Sequence, residues 1–404
     1  LVPAAVEDIQ AYFGEAVPEA YDVAFEPIDR ADQHPYSEYD PPPSCGGYEV
    51  TWEEVAGNAY WCEIDEYVAW DEQDLFPTLY RDYGPFAVAM VLAHEWGHAV
   101  QTQVGYADTT IAMEQQADCF AGSWAADVIE RSPDELGFAI EDLEVALGGL
   151  LAFRDEPGTP VDAMSAHGSG FDRINAFQEG FEQGAVRCAG FESSPPALTD
   201  LGYLSEEDLA NEGNLAYDDS INLAGLDLNA YWESVYPDFE AVETFVPFDL
   251  EVESPPVCEG ERLDEDAAAY AIRYCAEEHY VIWDDAMLRT VHEDIGDFAV
   301  ATLLGTVWTE AAQRQLDDDD EFIASRPAEL QRACFTGSWA GRLLEPGASE
   351  FIGGLSPGDL DESVQAFLAF AEASGGETGS AFQRSQAFRI GFYGRPGDCD
   401  ALAS

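Results

Sequence analysis

Two tandem domains stapled by disulfides are what the sequence predicts. Three observations lead there: the length of the chain, a repeated order of motifs, and eight cysteines that divide four to each half. At 404 residues the chain exceeds one ordinary core and suits two domains of roughly 150 to 200 residues. An apolar fraction of 47% with 9 Trp, 18 Tyr and 23 Phe marks a chain that folds despite its acidity.

The repeat organises the chain. Asp8-Ile-Gln-Ala-Tyr12 precedes Cys45, Cys62, Trp70-Asp71, Phe86-Ala-Val-Ala89, Cys119-Phe-Ala-Gly-Ser-Trp124, Arg173 and Cys188. The same order returns as Asp227-Leu-Asn-Ala-Tyr231, Cys258, Cys275, Trp283-Asp284, Phe298-Ala-Val-Ala301, Cys334-Phe-Thr-Gly-Ser-Trp339, Arg384 and Cys399. The expected boundaries are a first domain over 1–190, a linker over 191–225 opened by Ser193-Ser-Pro-Pro196, and a second domain over 226–404.

Cys45 to Cys62 and Cys258 to Cys275 are both 17 residues apart, and no CxxC spacing points to a thiolate metal site. Disulfides in an oxidising compartment are the expectation, paired Cys45–Cys62, Cys119–Cys188, Cys258–Cys275 and Cys334–Cys399. An extracellular or cell-surface protein follows, with a removed signal or anchor ahead of Leu1 as part of that expectation. No apolar run approaches a membrane span.

Against 81 Asp+Glu stand 16 basic residues, every one of them Arg, for a net charge of −65. Such a field repels nucleic acid, which is therefore excluded as a partner. It suits a salt-rich habitat where counterions screen the self-repulsion; an acidic secreted protein from an ordinary habitat is the alternative.

The chemistry concentrates between Tyr83 and Val104, where apolar residues recur at helical spacing, Pro85 suits a first turn and Gly105 a C-terminal cap. His94 and His98 of His94-Glu-Trp-Gly-His98 lie four apart, so both imidazoles share one helical face at the separation that two ligands of one Zn²⁺ require. Glu95 then stands beside the ion without binding it, placed to act as general base. A second helix, expected over Thr109 to Glu130, carries Glu114 and Asp118, also four apart. One of them can ligate the metal while the other orients a ligand. A pair of satisfied structural histidines is the competing reading.

With these motifs in view, the first half resembles the bacterial neutral zinc metallopeptidases of the zincin superfamily. The matching pieces are Gly57-Asn-Ala-Tyr60 with Cys62, Trp70-Asp71, His94-Glu-Trp-Gly-His98 with Gln101, Glu114-Gln-Gln-Ala-Asp-Cys-Phe-Ala-Gly122, and His167-Gly-Ser-Gly170 with Arg173 and Gly180-Phe181. The resemblance implies an α+β zincin-like domain, helical with a small sheet, whose edge strand near Tyr60 to Trp70 could take an extended peptide. It also implies Glu114 as third ligand with Asp118 supporting it; Asp118 as the direct ligand stays open.

In the second copy Thr306-Val-Trp-Thr-Glu310 replaces the histidines and the base, and Ala333 stands in place of Asp118 although Glu329 matches Glu114. Retained framework with erased chemistry predicts an inactive duplicate, a pseudoenzyme domain. His167 is matched by Thr378, which suggests that His167 reaches the active site and donates a hydrogen bond to the oxyanion; a turn histidine capping the following helix is the alternative. His34, His279 and His292 have no partner at ligand spacing, and the run Asp317 to Glu321 reads as a solvated acidic loop rather than a Ca²⁺ site. Tyr60, Trp61 and Trp70 are candidates for a peptide groove or for aromatic core.

The expected function is a zinc-dependent endopeptidase acting on peptide or protein substrates. The alternative is a cell-surface binding or scaffold protein with a structural metal. Structural zinc has four protein ligands, whereas catalytic zinc leaves one position to solvent.

Overall fold

The computed structural model describes every residue except 107, 132–135, 162, 164–165, 317–319, 372–378 and 404. The chain divides into two compact units, Leu1–Asp200 and Leu201–Ser404.

The first unit is α+β. It opens with α1 (Val2–Tyr21) and β1 (Gln33–Tyr36), continues through a short α2 (Trp52–Val55) to the hairpin β2 (Ala59–Cys62) and β3 (Tyr67–Asp71), and closes with α3 (Leu75–Val104), α4 (Thr110–Arg131), α5 (Ile140–Ala152) and α6 (Gly170–Ala189). The sheet order is β1-β3-β2, with β1 parallel and β2 antiparallel to β3. Of the hairpin's two strands, only β2 is therefore an edge. Trp70, expected near that edge, lies in the buried central strand β3 and stacks on Phe76, because a strand paired on both sides is where an aromatic side chain is most fully covered.

Asp71 at the end of β3 joins sheet to helix. One carboxylate oxygen accepts from the Gly57 amide at 2.8 Å and the other from Gln73 and Asp74 at 2.7 and 2.9 Å, satisfying backbone donors at the entry to α3. The expected helix at Tyr83 turns out to be the second part of α3, which breaks at Gly84 (φ 78°, ψ 176°) before Pro85 restarts it. From there Phe86, Val88, Met90, Leu92, Trp96 and Val100 are all buried. On α4 rests α1, through Trp124 Nε1 donating to Asp8, Tyr12 donating to Ser123, and Phe13 edge-on to Phe120.

Close helix contacts depend on missing side chains. A Cβ at Gly97 would meet Ala117 of α4 at 3.0–3.2 Å, and one at Gly180 of α6 would stand 1.8 Å from the Cys119 carbonyl oxygen. Glycine in the motif therefore lets α3, α4 and α6 approach at backbone distance, which brings Glu114 to the histidines.

The second unit contains α7 (Glu206–Ala210), α8 (Tyr217–Val235), β4 (Phe245–Phe248), the small hairpin β5 (Val257–Cys258) and β6 (Glu261–Arg262), α9 (Glu265–Ala268), β7 (Ile272–Cys275) and β8 (Tyr280–Asp284). Then follow α10 (Asp285–Asp294), α11 (Asp297–Leu316), α12 (Asp320–Ile323), α13 (Arg326–Arg342), α14 (Asp359–Ala371), α15 (Ala381–Tyr393) and α16 (Pro396–Asp400). Its main sheet runs β4-β8-β7, with one parallel and one antiparallel pair. The stretch 191–225, expected as a linker, contains the division between the units and also holds α7 and the start of α8. Ser205 caps α7 by accepting from the Asp208 amide, and Tyr217, Ser220, Ile221 and Ala224 bury one face of α8, a short amphipathic signal diluted by the surrounding acids. All four disulfides are formed, with the pairing expected from spacing.

Asp297, Asp359 and Glu362 are buried together in the second unit, each accepting from a backbone amide: Leu215, Ser356 and Phe298 respectively. Asp208 also faces the group, with Asp361 beside Glu362 and His292 near Asp297. Burial and mutual repulsion push Asp297 up to about 6 and Glu362 to about 8, and raise Asp359 well above its usual range. The folded state thus holds protons that the unfolded chain releases above about pH 4, so this contribution is present at low pH and lost as pH rises toward 8. The unfolding free energy of this unit is expected to fall by on the order of 2 kcal/mol between pH 5 and pH 8, and Glu362→Gln to flatten that slope in calorimetry. An equally steep slope in the variant would trace the loss to repulsion over the acidic surface, which also grows with pH, and not to the buried carboxyls.

Candidate metal centre

The centre is assembled from α3, α4 and α6. His94 and His98 project from one face of α3, and their Nε2 atoms lie 3.1 Å apart. Glu114 of α4 completes the group, with Oε2 at 3.1 Å from His94 Nε2 and Oε1 at 3.4 Å from His98 Nε2. The three side chains are only 10–14% exposed.

The outward ring nitrogens have partners of their own. Asp118 accepts from His94 Nδ1 at 2.8 Å. Gln101 Oε1 accepts from His98 Nδ1 at 2.9 Å, while the Gln101 amide nitrogen donates to the Met113 carbonyl at 2.7 Å and so orients the oxygen toward the ring. With both protons on Nδ1, each Nε2 presents a lone pair, and the Glu114 carboxylate faces them. In that state three acceptors lie within 3.4 Å of one another and repel unless a proton or a metal cation lies among them. Zinc fits: bonds of about 2.0–2.2 Å at tetrahedral angles place neighbouring donors about 3.3–3.5 Å apart.

Asp118 is itself gripped by a fully buried Arg173 of α6, which donates from Nε and Nη2 at 2.8 and 2.9 Å; its Nη1 donates to the Phe153 carbonyl at 2.8 Å. The Asp118 carboxylate therefore points at Nδ1 of His94 and at Arg173, away from the converging Nε2 atoms. Burial disfavours the charged forms of all these side chains, but their neighbours overrule it. Arg173 and His94 hold Asp118 below the usual carboxylate range, and the histidines hold Glu114 well below it. Asp118 and Glu114 push His94 up to about 10, and Glu114 raises His98. Glu95 is pushed upward by burial itself, and its Oε2 is buried without a hydrogen-bond partner.

The cluster opens into a cavity of about 460 Å³ whose lining includes Glu95, Tyr60, Trp61 and His167. His167 sits at the rim, its side chain 47% exposed, with Nδ1 at 3.5 Å from Asp155. The cap of α6 is Ser169, not His167: its hydroxyl accepts from the Asp172 amide. His34 packs edge-on to Tyr67, while His279 and His292 each bond a backbone carbonyl, of Ala241 and Leu215, and neither belongs to the His94, His98 and Glu114 cluster. Thr378 and residues 317–319 of the acidic run lie outside the described residues.

Gln101 and Arg173 hold roles that spacing along the chain does not assign. The available signal is scarcity: Arg173 is one of 16 cationic residues in a chain of net charge −65 and so calls for a dedicated anion, though its partner cannot be read from spacing.

Two helices presenting HExxH and a downstream glutamate around one ion-sized gap define a metallopeptidase-type centre. Residues 51–191, which contain it, match the family described as "Putative neutral zinc metallopeptidase". Among similar proteins is Uncharacterized protein YpfJ of Escherichia coli K12, 33% identical over 134 residues (28% of this chain, 45% of that protein). Another is Uncharacterized protein Rv2575 of Mycobacterium tuberculosis H37Rv, 28% identical over 152 residues (31% of this chain, 52% of that protein). The chain thus spans about half the length of the curated relatives it matches. No solved structure matches it.

Proposed function

We propose that the first unit is a zinc-dependent endopeptidase, with His94, His98 and Glu114 holding the ion and Glu95 as general base. One observation carries this: the Nε2 atoms of His94 and His98 and the Glu114 carboxylate converge at 3.1–3.4 Å beside a cavity lined by Glu95, whose Oε2 is buried without a partner. When bound, zinc supplies Lewis acidity that polarises a peptide carbonyl and lowers the pKa of water. Glu95 Oε2 takes the proton from the attacking water and delivers it to the leaving amine nitrogen. His167, at the rim, donates a hydrogen bond to the carbonyl oxygen as it becomes negative. The outer edge of β2 lies along the cavity and offers backbone groups to an extended substrate.

The binding or scaffold alternative needs a fourth protein ligand. Among the described residues three donors converge, which favours the catalytic reading. The second unit is proposed as a degenerate duplicate. Its sheet repeats the strand order and pairing of the first, and the position matching His98 is Glu310, paired at 3.0 Å to Arg314, while Glu329 pairs with Arg332 at 2.7 Å. No described helix is long and apolar enough to cross a membrane. Four disulfides support an oxidising compartment and a secreted or surface-exposed protein, and the acidic surface supports a saline one.

Elemental analysis and a peptide-library digest test the function together. One zinc per chain is expected, with internal peptide cleavage that a chelator abolishes and added zinc restores. A zinc-loaded chain that cleaves nothing in the library would return the protein to the scaffold class.

A further inference from the structure

The cavity has two unlike walls. One is the polar cluster; the other is apolar, built by Leu79, Met90 and Val91 of α3, Ala146 and Leu150 of α5, and Phe153 just beyond it. No charged side chain belongs to this second wall, and Leu79, Met90, Ala146 and Leu150 are buried. Gly149 of α5 also lies on the lining, where it projects no side chain into the space.

We infer that this recess selects substrates with a large apolar side chain, such as Phe, Leu or Met, next to the cleaved bond. The inference rests on the peptidase reading and names its substrate class. A chain extended along β2 turns alternate side chains toward the helices, and the one nearest Glu95 enters the recess. A charged side chain there would lose its water without gaining a partner. An aromatic or branched aliphatic one exchanges water for the Met90, Leu79 and Leu150 surfaces.

Two substitutions alter the recess and leave the metal cluster untouched. A Cβ at Gly149 would stand 3.6 Å from Ala87 Cβ and Leu79 Cδ2, ordinary contact, and the longer side chain of Gly149→Leu would extend from there into the recess. Met90→Ala widens it. With the zinc-loaded full chain, Gly-Phe-amide and Gly-Leu-amide are expected to bind about 10-fold or more tighter than Gly-Gly-amide or Gly-Asp-amide by calorimetry. The library digest should show the same preference at one residue flanking the cut. Gly149→Leu should erase the advantage of Phe, and Met90→Ala should shift preference from Leu toward larger aromatics.

Equal binding of the four amides, or cleavage indifferent to the flanking side chains, overturns the recess while leaving the peptidase standing. Selective binding of Gly-Phe-amide without any hydrolysis does the reverse: the recess stands and the peptidase assignment fails. Should Gly149→Leu not fold, the wild-type amide series and Met90→Ala decide the matter alone.

Discussion

Glu95→Gln is expected to lower peptide hydrolysis by about 10²–10⁴-fold while the chain keeps its zinc. The substitution preserves size and removes one property, the ability to accept a proton. Nothing else in the cluster can take over, because Asp118 is bound to His94 and Arg173 and Glu114 faces the two ring nitrogens. The three-donor geometry does not lean on Glu95 Oε2, which is buried without a partner. Metal content by elemental analysis should therefore match the wild type while kcat collapses. Hydrolysis within about threefold of wild type would remove Glu95 from the reaction, and loss of zinc would make it part of the metal's hold instead.

Asp118 should behave differently, with stability and metal affinity falling together. Asp118→Ala leaves Arg173 charged and buried, at 4% exposure, with the Phe153 carbonyl still accepting from Nη1 but no carboxylate opposite the guanidinium's other edge. Breaking a buried pair by removing one partner costs about 3–5 kcal/mol, a large share of a domain's stability. It also frees the His94 ring, and loss of such a ligand-orienting partner weakens metal binding by about 10–100-fold. The double variant Asp118→Ala with Arg173→Met separates the two effects. Folding stability should largely return, measured by thermal melting, because no charge is stranded. Zinc affinity should stay low, measured by competition with a chelator, because His94 Nδ1 still lacks its acceptor. Recovery of both together would mean that Asp118 acts only through packing and not through the histidine.

Local spacing carries much of this centre. Two histidines four apart on a helix must share a face, whatever surrounds them, and so must Glu114 and Asp118 on the next helix. The disulfide partners are equally legible, since the matching 17-residue spacings and the four-to-a-half division leave few pairings. The division between the two units falls inside the stretch expected as a linker, but the helices within that stretch were not legible: in α8 the few apolar residues that define a buried face are outnumbered by acids that mark only the solvent side. Of the stretch Tyr60 to Trp70, β2 forms the sheet edge and Trp70 joins the core; which of the two strands is the edge was not legible, because a strand's own residues do not reveal which neighbour covers it.

Neighbours along the chain are enough to specify the histidine pair, the glutamate beside it, the carboxylate pair, and a strongly acidic composition. Packing had the last word on the rest: that Glu114 rather than Asp118 converges on Nε2, that Arg173 anchors Asp118, that β2 borders the cavity, and that an apolar recess adjoins the cluster. Each of these depends on the angle and depth at which α3, α4, α5 and α6 meet. That geometry is set by contacts between residues tens of positions apart, and short-range periodicity does not record it.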